Sequence, residues 1–388
     1  MFKSVFNGER LKIARTYRGK TINDLAELLG VTKQMISKYE HGKSVPSSEM
    51  LLKLEQYLLF PRKFFFEEGT DKVQVGNTYF RSLRTTPKRD LEAQKLKLLF
   101  LSKIYRFVAD YINFPVVNLP DLSLDALDSM EVAAKEVRKY WGLGQEPISN
   151  MVRLLEANGL IVNTSRTNIT SIDAFTQQQR YEKQIYYFVV LGNDKGNGYR
   201  RQFDAAHELG HVLLHDPYID LTQLEKDEEK ELERQANQFA AALLLPKDAF
   251  TRDVSMHPRD LNHYLYLKKK WHVSIGAMVV RAHNLGIIEY NQYHYLQRQI
   301  SSKGWRKEEP FDKDFQPASP ILLKKAITMI LENKKLSGSQ ILDTLAKNYD
   351  LSLNAYEFED LVGLERGTLE KYYSKQQPKV IVEMKKSL

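Results

Sequence analysis

Over the first seventy residues apolar positions recur at helical spacing. They fall at Leu11, Ile13 and Ala14, then at Leu25, Ala26, Leu28 and Leu29, then at Met35, Ile36 and Tyr39. A fourth helix is predicted after Pro46-Ser47-Ser48, through Leu51, Leu52, Leu54 and Leu58. Thr21 and Thr32 stand where an oxygen can cap the next helix. Gly30 falls between the second and third helices, where a tight turn needs positive φ.

Beyond this unit the pattern changes. Residues 71–86 read as a connector with strand character, and 87–112 as one long helix rich in Leu and Lys. A helix through Ala133, Val137 and Trp141 stops at Gly142-Leu143-Gly144. The helix 148–158 ends at Asn158-Gly159 and leads into the strand Leu160-Ile161-Val162. The β-rich run Gln184 to Leu191 predicts a strand at or near a sheet edge, followed by a turn at Gly192–Gly196. Helices are then expected over about 200–215, stopped by Asp216-Pro217, and over about 227–244, stopped at Pro246. Two or three more fill 247–298. Residues 303–317 are irregular, 318–374 are helical, and the tail from Gln376 is polar. The fold class is mainly α with a small β-sheet (α+β).

Composition narrows this picture. The 388 residues suggest two to four domains. With 43% apolar and 27% charged residues the composition is that of a soluble globular protein. No apolar run reaches the roughly 18 residues of a membrane helix, and the start lacks a secretory apolar stretch. A cytoplasmic, membrane-free protein is expected. There is no cysteine, so any metal must sit on His, Asp or Glu. The net charge of +8 and a pI near 9.1 permit nucleic-acid binding without demanding it.

The chemistry concentrates in His207-Glu208-Leu209-Gly210-His211. Residues four apart on a helix differ by about 40° in direction and about 6 Å in rise, so both imidazoles can point at one ion. Glu208 beside them is placed to take a proton from water. Gly210 between the ligands lets another backbone pass close. Zinc needs a third protein ligand and an open fourth position. The next helix offers Glu228, Glu229, Glu231 and Glu233, most of which belong to a solvated face. Glu233, one turn before Asn237, borders the apolar stripe Leu232, Ala236, Phe239, Ala240 and Leu243, where ligation accounts for an acid better than solvation does. His215 is a rival, but eight residues from His207 it is rotated by about 80° and fits a structural or supporting role better. Tyr186 or Tyr187 could reach the site, though a tyrosine in a β-rich run is more often core.

In the N-terminal unit, Leu25 to Thr32 joins two helices by a short glycine turn, and the following helix presents Thr32, Lys33, Gln34, Ser37 and Lys38. These can donate to phosphates or read base edges in a major groove. Residues 1–70 carry twelve basic and eight acidic residues. Periodicity alone fits a small bundle for protein contact equally well. A fainter echo near the C-terminus aligns Glu357, Phe358, Leu361, Gly363, Leu364, Leu369, Lys371 and Tyr372 with the Asp24–Tyr39 region. Glu365 there replaces Thr32 and Glu359 replaces Ala26, which weakens phosphate contact and favours a structural or partner-binding role.

Residues 1–70, through Ile36-Ser-Lys-Tyr-Glu-His-Gly-Lys43 and Pro46, resemble the XRE (Cro-type) helix-turn-helix family, which implies a DNA-binding module working on double-stranded DNA as a homodimer. The runs Arg200 to His215 and Glu233 to Pro246, with Trp271 to Arg281 and Gly304 to Pro310, resemble the ImmA/IrrE metallopeptidases over roughly 128–310. That resemblance implies Zn2+ on His207, His211 and Glu233, Glu208 as the catalytic base, and a cytosolic endopeptidase that cleaves a repressor-type protein. Gln235 departs from it where an acid is common. The expected domains are therefore 1–70 (helix-turn-helix), 71–127 (connector with long helix), 128–310 (zincin-like peptidase) and 311–388 (C-terminal helical). Three readings follow: a DNA-tethered zinc endopeptidase in a stress, phage or mobile-element switch, cutting a repressor or itself; a non-proteolytic regulator whose peptidase-like domain senses a ligand or partner; and an antitoxin-type regulator.

Overall fold

The computed structural model describes residues 5–68, 74–80, 87–122, 129–165, 174–192, 197–216 and 224–372. Residues 193–196 of the turn expected over Gly192–Gly196, the stop at Pro217 and the tail from Gln376 lie outside the described residues. The chain is mainly α with a small four-stranded sheet. It divides into two compact units, Met1–Thr70 with Leu99–Ile112 and Leu323–Leu388, and Asp71–Leu98 with Asn113–Leu322. Among the described residues no helix is long and apolar enough to cross a membrane.

The first unit begins with four helices, α1 (Gly8–Tyr17), α2 (Ile22–Leu29), α3 (Lys33–Glu40) and α4 (Ser48–Leu58). Local chemistry sets their ends. Thr21 and Asp24 form a reciprocal capping box on α2, and Thr32 accepts from the Met35 N–H to start α3. Gly30 takes φ +68°, and the Val31 N–H returns to the Ala26 carbonyl at 3.0 Å. Leu11, Ala14, Leu25, Ile36 and Leu54 are wholly buried between the helices. Arg15 Nη2 donates to Glu40 Oε2 at 3.0 Å and ties α1 to α3.

This bundle does not stand alone. The long helix α5 (Lys88–Ala109) brings Phe100 against Tyr17, with the rings stacked at 4.9 Å, and against Phe60 at 6.1 Å. The C-terminal helices α14 (Leu322–Glu332), α15 (Gly338–Asn348), α16 (Ala355–Val362) and α17 (Thr368–Lys371) lie almost wholly in the same unit. Arg10 donates to the Asp350 carbonyl at 2.9 Å, Arg18 pairs with Glu357 at 2.6 Å, and Asn354 donates to the Leu59 carbonyl at 2.9 Å.

The echo read from sequence has a physical counterpart here. Gly363 ends α16 at φ +73°, and Leu364 N–H returns to Glu359 at 2.9 Å, as Val31 returns to Ala26. The acid that stands in for Ala26 has its own task. Glu359 is fully buried and accepts from Gly367 N–H and Leu369 N–H at 2.8 and 2.7 Å, fixing the start of α17.

In the second unit β1 (Gln74–Phe80), β2 (Ile161–Ser165), β3 (Ala174–Tyr181) and β4 (Gln184–Gly192) form a sheet in the order β1-β3-β4-β2. β4 pairs antiparallel with β3 along its length and parallel with β2 over Phe188–Gly192. The strand expected at or near a sheet edge over 184–191 is β4, one strand in from β2, and among the described residues the edge strands are β1 and β2. Helices α6 (Met130–Tyr140), α7 (Met151–Ala157), α8 (Gly198–Leu214) and α9 (Lys226–Leu244) cover a core that includes Val137, Leu155, Val189, Leu209 and Phe239. Four further helices follow, α10 (Lys247–Val254), α11 (Leu261–Trp271), α12 (Ile275–Asn284) and α13 (Tyr290–Ser302), rather than two or three. His272 at φ +54° and the Ser274 cap split what reads in sequence as one helical stretch.

Candidate metal centre

α8 is buried along nearly its whole length, with Ala205, Ala206 and Leu209 wholly inside the core. The helix therefore has no surface face to spare for incidental polar residues. Yet His207, Glu208 and His211 lie within it, each at most 1% exposed. α9 crosses α8 at Gly210. A Cβ at that position would stand 3.2 Å from both Ala236 Cα and Phe239 Cδ1, so the missing side chain sets how near the two helices come. One turn before Ala236, α9 carries Glu233.

The approach gathers three donors. His207 Nε2 and His211 Nε2 are 3.0 Å apart, and the Glu233 carboxylate oxygens lie 3.5 and 3.4 Å from them. Zinc–ligand distances of about 2.0–2.1 Å in a tetrahedron require donor separations of about 3.3 Å. The triangle has that size.

The tautomers follow from fixed partners. Asn237 Nδ2 donates to the Glu233 carbonyl at 2.8 Å, which turns its Oδ1 toward His207 Nδ1 at 3.2 Å. That nitrogen carries the proton, and His207 Nε2 keeps its lone pair. A longer relay serves His211. Gln235 Nε2 donates to Glu231 at 2.9 Å, so its oxygen receives His215 Nε2–H at 3.3 Å. His215 Nδ1 then accepts from His211 Nδ1 at 2.9 Å. Burial, and then the neighbouring His211, push His215 down to about 3, so it stays neutral in this role. Two imidazole lone pairs and a carboxylate converge on one point. The chemistry of this donor set fits a divalent cation, with outer partners of the kind that orient metal-binding imidazoles.

The remaining expected residues are placed as follows. Glu208 is fully buried in α8 between the histidines. Tyr186 donates to Gln184 on its own strand, and Tyr187 packs against the hydrophobic core. In the first unit Lys33, Gln34, Ser37 and Lys38 line one groove with Asn23, His41 and Lys43. Thr32 is exposed, and its hydroxyl oxygen caps α3. The parts that sequence reasoning left without a role are Asn237 and Gln235. Their signal was their position on the α9 stripe beside Glu233.

Comparison with known proteins agrees with this division. Residues 11–61 match a helix-turn-helix family model, and residues 159–283 match the IrrE N-terminal-like domain. An uncharacterized HTH-type transcriptional regulator of Sinorhizobium medicae is 39% identical over 62 residues, 16% of this chain and 45% of that one. An SPbeta prophage-derived uncharacterized HTH-type transcriptional regulator of Bacillus subtilis is 45% identical over 51 residues, 13% of this chain and 47% of that one. The match thus spans less than half the length of either relative. A solved Mycobacterium tuberculosis transcriptional regulator shares 17% identity over 47% of this chain and 50% of its own, at a TM-score of 0.28, from which nothing about the fold follows. The chain joins a helix-turn-helix segment at its N-terminal end to an IrrE N-terminal-like segment that contains His207, Glu208, His211 and Glu233.

Proposed function

We propose that this chain is a cytoplasmic DNA-binding transcriptional regulator whose second unit is a zinc endopeptidase, cutting a repressor-type protein or itself. The observation that carries the reading is the donor triangle on α8 and α9, together with the relay that leaves both Nε2 atoms as acceptors. His207, His211 and Glu233 hold the ion. Zinc supplies Lewis acidity, which polarises a carbonyl and makes water a better nucleophile at neutral pH. Glu208 takes the proton of the attacking water and passes it to the leaving amine. Glu233 is 26% exposed on its side chain, so the group is not sealed from a substrate.

The first unit addresses double-stranded DNA through Lys33, Gln34, Ser37 and Lys38 on α3, with Thr32 at its start, and as a homodimer reads two half-sites. The test pairs metal analysis with proteolysis. Purified chain contains one equivalent of zinc, and it cleaves a repressor encoded beside it. Glu208→Gln retains the zinc and loses cleavage by at least about a hundredfold, the span of general-base catalysis. Zinc without cleavage of any neighbouring repressor or of the chain itself refutes the peptidase reading and leaves a sensing regulator.

A further inference from the structure

The segment Gly304 to Pro310 stands out in the sequence, and the metal centre does not use it. With α8, the start of α12 and α13 it lines a cavity of about 550 Å³. Its apolar lining is Phe203, Ala277, Ile300 and Trp305. Two of its acids share one buried counter-ion. Glu309 and Asp312 receive the buried Lys268 ammonium at 2.8 and 2.6 Å. Glu309 also accepts from Ile275 N–H and Gly276 N–H at 2.8 and 2.9 Å, and Asp312 from Glu309 N–H at 2.8 Å. The third acid, Asp204, lies 3.7 Å from Arg200. Arg306 and Lys307 are exposed cations of the lining, and they form no ion pair among the described residues. The cavity therefore has apolar walls and, with Lys268 counted, four cations against three acids, the two cations without an ion pair being Arg306 and Lys307.

Its position gives it a purpose. Arg200, Asp204, His207 and His211 follow one another at intervals of four, three and four along α8, so they share one face of the helix. The midpoint of the first pair lies seven residues from that of the second, about 10 Å along the axis at about 1.5 Å per residue. An extended chain covers that in about three residues. We infer that the cavity receives an acidic stretch of the protein substrate, about three residues from the bond that is cut. This inference rests on the peptidase reading above. The volume holds more than one side chain, so an acidic residue enters beside an apolar or aromatic one.

Trp305 lines the cavity and reports on it. Three blocked hexapeptides, alike except for a central Glu-Phe-Glu, Gln-Phe-Gln or Lys-Phe-Lys, are titrated against the full metal-free chain and followed by tryptophan emission. Trp305→Phe serves to assign the signal. The acidic peptide binds about tenfold more tightly than its Gln counterpart, as two partly screened ion pairs allow. Arg306→Glu with Lys307→Glu removes the difference while the melting temperature holds. Equal affinity for the Glu and Gln peptides, or an unchanged preference in the double variant, overturns the inference. Cleavage mapping of a peptide library with the zinc-loaded chain separates the two readings. Cleavage with no acidic preference near the cut overturns the cavity assignment and leaves the peptidase standing. Selective binding with no cleavage upholds an acidic-peptide cavity and removes the peptidase.

Discussion

Gly210→Ala sets two known effects against each other at one atom. In a helix interior alanine is favoured over glycine by about 1 kcal/mol, because glycine loses more backbone freedom on folding. Elsewhere on α8 that gain would be realised. At position 210 the new methyl meets Ala236 Cα and Phe239 Cδ1 at 3.2 Å and the Ala236 carbonyl oxygen at 3.4 Å. Optimal carbon–carbon contact is about 3.5–4.0 Å, so α9 must retreat by a few tenths of an ångström. Inserting a methyl into a filled core costs about 1–3 kcal/mol. The two effects leave the metal-free chain between unchanged and about 2 kcal/mol less stable. The retreat matters more for the ion. Glu233 is three residues from Ala236 on the same helix, so it moves away from donors now 3.4 and 3.5 Å distant. Zinc affinity should fall on the order of tenfold, the lower end of what lost outer partners cost. Urea titration of the metal-free protein and competition against a chromophoric chelator measure the two quantities separately. A variant that gains the full helical stabilisation and keeps wild-type zinc affinity refutes the close-packing argument.

Other expectations follow from the same geometry. Asn237→Ala frees the His207 ring and should weaken zinc by about 10–100-fold with little change in helix content, read by the same competition and by circular dichroism. Gly8→Ala places a methyl 2.3 Å from the Tyr39 carbonyl oxygen and 2.5 Å from that of Glu40, both backbone. It should destabilise the first unit by at least about 1–3 kcal/mol and weaken operator binding in a gel-shift assay. Glu156 is raised by burial, although Ile321 N–H and Leu322 N–H both donate to its Oε1. The fold thus favours its neutral form, and that contribution is present below the usual carboxylate range and declines as pH rises through the raised value. Glu156→Gln keeps an acceptor oxygen, so it should be at least as stable at pH 7 and show a flatter melting-temperature profile from acid to neutral pH. A steeper profile would contradict the assignment.

Much of the site was legible because it is local. Two histidines four apart on a helix need only helical geometry to be paired, and Glu233 betrays itself as an acid on an apolar stripe. The helix-turn-helix caps, Thr21 and Thr32, and the turn at Gly30 are equally short-range. What could not be read is long-range. Gln184 to Leu191 looks the same in sequence whether one or two neighbours flank it, and its partners come from residues 161–165 and 174–181. The relay from Gln235 through His215 needs the register of α9 against α8, which Gly210 and Ala236 set. Nothing in the Leu- and Lys-rich pattern of 87–112 indicates that Phe100 would meet Tyr17, or that residues beyond 323 share its unit.

That last arrangement bears on the order in which the protein is made. Arg10, Arg18 and Leu59 find their partners at Asp350, Glu357 and Asn354, nearly three hundred or more residues later. During synthesis the helix-turn-helix emerges first, but its unit waits for the ribosome to deliver the partners of these side chains. A chain halted within the second unit thus displays α1 to α4 with Arg18 lacking Glu357, and with Arg10 beside Glu67 but lacking Asp350. A finished chain nicked there keeps the three segments of the first unit clasped across the cut without a covalent link.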